Sequence, residues 1–138
     1  MSSLLASVPG RAALMAGGLI VASAAFVTAN IARDNHTRAA TAKTMTGGDP
    51  DRAPAIFRRY GCSGCHTIGG IPGADGQTGA PLTGLSKRVY IAGVLENRSD
   101  NLVAWIVSPS SFSPRTATPS TGISEQEARD LAAYLYAQ

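Results

Sequence analysis

The stretch Gly61-Cys62-Ser63-Gly64-Cys65-His66-Thr67-Ile68-Gly69-Gly70 holds both cysteines of the chain and one of its two histidines. Two thiols at i and i+3 lie one turn apart, and an imidazole follows the second directly. These three side chains matter most, because the rest of the chain is short of other means to make a fold. The sequence has 138 residues, only 6% of them aromatic, with 15 glycines and 8 prolines. That length allows one domain with a modest core. A small loop-rich core of this kind calls for a staple: a metal, a disulfide or a cofactor.

On either side of the motif, three helices can be placed. Asp49-Pro50 has the form of an N-cap followed by Pro at the first helical position. Ala53, Ile56, Phe57 and Tyr60 then recur at i, i+3, i+4 and i+7, one apolar stripe leading into Cys62. Pro54 lacks an N–H, so the helix proper starts nearer to it. A second helix is expected over Leu102-Val103-Ala104-Trp105-Ile106-Val107, capped by Ser99 or Asp100 and ended by Ser108-Pro109. The third is the clearest. Ser124-Glu125-Gln126-Glu127 is a capping box, Ile123 can staple onto Ala128, and Ala128, Leu131, Ala132 and Leu135 form the stripe. Glu125, Glu127 and Asp130 are expected on its outward side, with Asp49 and Asp51 at a helix start, where carboxylates serve capping and the helix dipole. Residues 69–84 form a long Gly/Pro loop, with an extended or short helical piece over 89–95. No alternating run argues for a sheet, so the expected class is all-α. A loop region that long needs something to organise it.

The chemistry of Cys62-x-x-Cys65-His66 supplies a candidate. A thioredoxin-like pair wants a preceding strand and a βαβ setting, and here a helix precedes. Structural zinc needs four ligands, and beyond Cys62, Cys65 and His66 only the remote His36 remains. A disulfide across two residues would be strained and leaves the histidine unexplained. A haem accounts for all three groups: the thiols can add across two vinyl groups of one porphyrin edge, and the imidazole points at the iron. The macrocycle then becomes the core on which the loops pack.

With these landmarks the chain resembles the class I c-type cytochromes, of the small membrane-tethered bacterial kind. The resemblance covers residues 46–138. It rests on the helix entering Cys62-Ser63-Gly64-Cys65-His66, on the loop Gly79-Ala80-Pro81-Leu82-Thr83-Gly84-Leu85, on the helix with Trp105, and on the last helix. It implies a cytochrome c fold, three to five short helices around one covalent haem c, with the first and last helices crossing. It implies His66 as an iron ligand, and the Pro81 carbonyl as acceptor for the imidazole. Trp105 is implied near a haem propionate, with Arg88 and Tyr90 as helpers. Ordinary core packing is the plain alternative for Trp105.

One element of the pattern is missing. The family's second iron ligand is a methionine before the last helix, at the position that here holds Thr118. The three methionines, Met1, Met15 and Met45, all precede the motif. Thr is a hard, short ligand where a thioether suits an electron carrier. The expected iron is five-coordinate or water-ligated with Thr118 beside it. Met45, His36, Lys87 and a partner's residue are the other sources of a ligand.

The N-terminus sets the address. Residues 12–32 (AALMAGGLIVASAAFVTANIA) carry no charge and are long enough to cross a bilayer. Arg11 precedes them as in a secretory n-region, and Ala22-Ser23-Ala24 and Val27-Thr28-Ala29 are candidate cleavage sites. The run is longer than most signal cores, which favours a retained anchor. Arg33, Arg38 and Lys43 on the exported side run against the positive-inside rule, tempered by Asp34. The expected organisation is an anchor or signal over 1–32, a polar linker over 33–48 containing His36, into which helix can continue from the anchor, and a haem domain over 49–138. The expected location is the bacterial inner membrane, single-pass, with the haem domain in the periplasm; signal cleavage would leave a soluble periplasmic protein instead. From Thr46 onward acidic and basic residues balance, so the net charge of +3 comes from the N-terminal segment, and no footprint for nucleic acid exists.

The function these readings imply is single-electron transfer, from a quinol-oxidising complex or dehydrogenase to a terminal oxidase. The alternatives are a haem-based binder of CO, NO or peroxide and a structural haem subunit of a respiratory complex. No constellation of residues argues for an enzyme.

Overall fold

A computed structural model of the chain describes residues 8–138, with side chains from residue 13 onward. The start of the expected 1–32 segment, with Met1 and the Arg11 side chain, lies outside the described residues. The chain divides into two compact units, Met1–Asp34 and Asn35–Gln138.

Helix α1 runs over Val8–Thr46. Within the first unit it exposes apolar side chains all round, Leu14, Leu19, Ile20 and Phe26 among them. From Ala13 it is long and apolar enough to cross a membrane, with a mean hydropathy of 1.8 in its most apolar window. It is compatible with membrane anchoring.

In the second unit the expected linker is largely helical. Residues 35–46 continue α1 without a break, since this Ala- and Thr-rich stretch contains neither Gly nor Pro until Gly47. Ala42 and Thr46 are buried. Gly47, at φ +68°, takes the left-handed position past the helix end and donates its N–H to Lys43 O at 2.9 Å. A Cβ on Gly48 would fall 2.0 Å from the Arg129 carbonyl oxygen. The Gly-Gly pair is thus a helix stop and a close backbone contact.

The Asp49-Pro50 and Pro54 signals are both used. Pro50–Arg52 is a 3₁₀ turn with the Asp49 carboxylate accepting from Asp51 N, and α2 follows over Ala53–Arg59. After the motif and its loop come a small antiparallel hairpin, β1 (Tyr90–Ile91) and β2 (Leu95–Glu96), then α3 (Ser99–Val107) and α4 (Glu125–Ala137). The hairpin is too short for an alternating pattern to announce it. Helix α3 begins one residue early: Arg98 occupies the N-cap without a side-chain bond, in place of Ser99 or Asp100. The expected capping box is present on α4, with Ser124 Oγ accepting from Glu127 N and Glu127 reaching back to Ser124 N.

The core is the meeting of α2, α3 and α4. Phe57, Leu102, Trp105, Ile123, Ala128, Leu131 and Leu135 are buried in one cluster. Phe57 stands edge-on to Tyr134 with ring centroids 5.6 Å apart, tying α2 to α4. Each fully buried Phe or Leu contributes roughly 1.5–3 kcal/mol.

Two carboxylates expected on the outward face of α4 point elsewhere. Asp130 is fully buried; its Oδ1 accepts from Asp49 N at 2.8 Å and its Oδ2 lies 3.5 Å from Arg52 Nε. Glu127 accepts from Tyr60 Oη at 2.9 Å and pairs with Arg59 at 2.6 Å. Both hold α4 to the segment leading into the cysteine motif. Glu125 alone behaves as expected, exposed and paired with Arg129 one turn on.

Candidate cofactor site

Gly61, at φ +69°, turns the chain out of α2. Cys62–Gly64 then coil into a 3₁₀ turn, with Cys65 N and His66 N both donating to Cys62 O, at 3.3 and 3.0 Å. That turn sets the two thiols on one edge with His66 beside them. Cys62 is partly buried and Cys65 exposed, and no disulfide joins them. Burial pushes the Cys62 thiol up, with the Cys65 sulfur adding in the same direction.

The loop that follows is held by its backbone. Gly76 packs on the motif so closely that a Cβ would sit 2.6 Å from the Cys65 carbonyl carbon. Thr67 Oγ1 donates to Gly76 O, Gly79 N to Cys65 O at 2.8 Å and Leu82 N to Thr67 O at 2.8 Å. From the far end of α4, Tyr134 Oη and Gln138 Nε2 both donate to Gly69 O. This is how a loop without regular structure stays in one place.

His66 Nδ1 lies 2.6 Å from Ala80 O. A carbonyl can only accept, so Nδ1 carries the proton, which leaves Nε2 as the ring nitrogen available to a metal. The expectation that Pro81 provides this carbonyl is corrected by one residue: Pro81 O is taken by Arg88 Nη2 instead. Gly79 lies against the ring, where a Cβ would meet Cε1 at 2.4 Å and Nδ1 at 2.7 Å.

These groups open on a cavity of about 290 Å³, near the lower end of small-molecule sites. Of the expected site residues, Cys62, Cys65, His66, Arg88, Tyr90, Trp105 and Thr118 all line it, and Pro81 does not. The wall is otherwise mostly apolar, with Phe57, Leu82, Ile91, Leu102 and Leu131. Trp105 is also a core residue, so both of its readings hold. Met45, His36 and Lys87 are not among the lining residues; Thr121 is, beside Thr118. Sequence reasoning missed Gly79, Ala80 and Thr121, although the first two stand in the quoted loop. The donor set fits a haem: two thiols one turn apart, an oriented imidazole, an apolar chamber and a glycine that leaves the ring its space. Among the described residues no group of three or more His, Cys, Asp or Glu side chains could hold a bare metal ion.

Fold and cavity together define a class, the small helical electron-transfer proteins that carry haem c covalently. The chain belongs to the cytochrome c family, whose model matches residues 50–137. Its cofactor is therefore haem c with its iron, and its role is haem-based electron transfer. The chain is also 38% identical over 81 residues to cytochrome c oxidase subunit 2 of Alkalihalophilus pseudofirmus. That alignment takes in 58% of this chain and 23% of the relative, so the chain matches about a quarter of that protein. No solved structure matches it.

Proposed function

We propose that this chain is a monohaem carrier held at the bacterial inner membrane by residues 1–32, with the haem domain in the periplasm. It takes single electrons from a quinol-oxidising complex or dehydrogenase and passes them to a terminal oxidase. Cys62 and Cys65 provide the thioether links and His66 Nε2 the iron ligand. The observation that carries this reading is the 2.6 Å contact between His66 Nδ1 and Ala80 O, beside a cavity that both thiols line. A carbonyl acceptor fixes ring orientation and raises ligand basicity. The haem supplies the one-electron couple; the protein's own tasks are to hold it, exclude water from its faces and set its potential.

The test is the full chain expressed with haem maturation in membranes. A covalent haem that is reduced by a quinol-oxidising complex and reoxidised by an oxidase supports the reading. A haem reduced by dithionite alone, with no exchange in membranes, counts against the carrier role.

A second reading is favoured by the lining of the cavity, where Thr118 and Thr121 take part and, among the described residues, no methionine does. An iron with His66 as its one protein ligand would take CO or NO. Rapid CO binding to a high-spin ferrous form would move the function toward ligand binding. The relative's name supports a third reading, a haem subunit of an oxidase assembly; co-purification with oxidase subunits after mild detergent extraction would favour it.

A further inference from the structure

We propose that Asn97 and Tyr136 are positioning residues for His66, acting through Arg88 and the residue 80–81 loop. The inference rests on the site reading above. Asn97 Nδ2 donates to Leu85 O at 2.7 Å and to Arg88 O at 2.8 Å. Two carbonyl acceptors fix which end of the amide is the NH₂, so Asn97 Oδ1 must face the Tyr136 hydroxyl, which donates to it at 2.7 Å. The backbone adds a third tie, from Asn97 N to Val89 O at 2.9 Å. One side chain thus pins both ends of residues 85–88, and α4 pins that side chain in turn.

The pinned segment carries Arg88, whose Nη2 donates to Pro81 O. Pro81 follows Ala80, the acceptor for His66 Nδ1. The chain of contacts runs Tyr136, Asn97, the Arg88 backbone, the Arg88 guanidinium, Pro81 O, Ala80 O and His66. Its links are hydrogen bonds and short covalent stretches of one residue. Every polar atom of the Asn97 side chain is used within it, as a rigid support requires. Burial pushes the Tyr136 hydroxyl up to about 12, so it remains a donor throughout the neutral range.

The consequence is electronic as well as mechanical. A firm Nδ1–H···O bond would make the imidazole a stronger donor to a bound iron and favour its ferric state. A slack 80–81 loop would weaken that bond and raise the potential. Asn97 and Tyr136 would then tune the couple from the side of the domain built by α4.

The experiment uses the full-length holoprotein and compares wild type with Asn97→Leu, Tyr136→Phe, Arg88→Met and the Asn97→Leu/Arg88→Met pair. Asn97→Leu keeps the size, adds no charge and removes both donors. Two readouts are taken: the reduction potential, and the solvent exchange of the His66 ring N–H by NMR. The expected result is a raised potential and exchange faster by roughly fivefold to tenfold in Asn97→Leu, the worth of about one hydrogen bond. Tyr136→Phe should show a smaller change of the same sign. The double variant should match Arg88→Met alone, because Asn97 acts through Arg88. Unchanged potential and exchange in Asn97→Leu, with only a lowered melting temperature, would overturn the proposal. So would additive effects in the pair. Wild type without covalent haem would instead refute the site reading, a separate failure visible before any variant is made.

Discussion

Among single residues, the site depends on what is small as much as on what is reactive. Gly79 leaves room for the His66 ring, and a Cβ there would lie 2.4 Å from Cε1. Gly79→Ala is expected to swing the ring off Ala80 and destabilise the domain by about 1–3 kcal/mol, the usual cost of overpacking. Thermal unfolding of the holoprotein measures the loss, and an unchanged melting temperature with an unchanged spectrum would refute the steric argument. Thr118 is the second decisive residue. If it stands where a thioether is wanted, Thr118→Met should turn the iron low-spin and bring in the sulfur-to-iron charge-transfer absorption. An unchanged spectrum would show that another part of the cavity wall faces the iron. The motif cysteines and His66 are legible in the sequence because three reactive side chains at fixed spacing are a local signal. The carbonyl that orients His66 is legible only to within one residue. Choosing Ala80 over Pro81 depends on where Arg88 reaches, and that is set by contacts distant in sequence.

Among the elements, α4 organises the rest. Its capping box is readable from Ser124 and Glu127, but the further use of Glu127 is not. The Glu127 carboxyl is held below the usual carboxylate range, first by the Ser124 hydroxyl and next by Tyr60, with Arg59 adding to it. A carboxyl with a lowered folded pKa contributes stability that is present above its unfolded value, 4.5 for glutamate, and is lost as pH falls through the lower folded value. Unfolding followed from about pH 6 downward should therefore show stability falling below about pH 4.5, the ordinary carboxyl range. Glu127→Gln should flatten that fall, and an equally steep acid loss in the variant would assign it to other carboxylates. Ser124→Ala should cost about 1 kcal/mol, the typical value of an N-cap, read by denaturant unfolding at neutral pH. Asp130 shows why periodicity misplaces the outward face. Helical periodicity sorts residues by their own helix, whereas Asp130 is buried because Asp49 N and Arg52 come to it from outside. The same reason hides the order of residues 35–46. Their composition is that of a tether, and their helix is held by Arg129 Nη1 on Thr46 O and Gln126 Nε2 on Gly47 O.

In the molecule as a whole, fold and cofactor meet in one chamber, because α2, α3 and α4 supply both the core and much of the cavity wall. The all-α class is legible from three apolar helical runs, the last with its capping box, and the short hairpin at Tyr90–Ile91 and Leu95–Glu96 does not change it. The core left after the cavity is small, and residues 67–84 hold together mainly through backbone hydrogen bonds. Cys62→Ala should therefore impair haem attachment and folding together, with lower holoprotein yield and a lower melting temperature. A well-folded domain without haem would contradict that coupling. The site and the proposed role both require one haem bound covalently through both thiols of the Cys62-to-His66 motif. Peptide mass spectrometry of the mature protein reads that linkage itself. The expected result is a single peptide containing Cys62, Cys65 and His66 that carries one haem mass and no free thiol. The same peptide recovered with two alkylatable thiols, or with a disulfide and no haem, would contradict it.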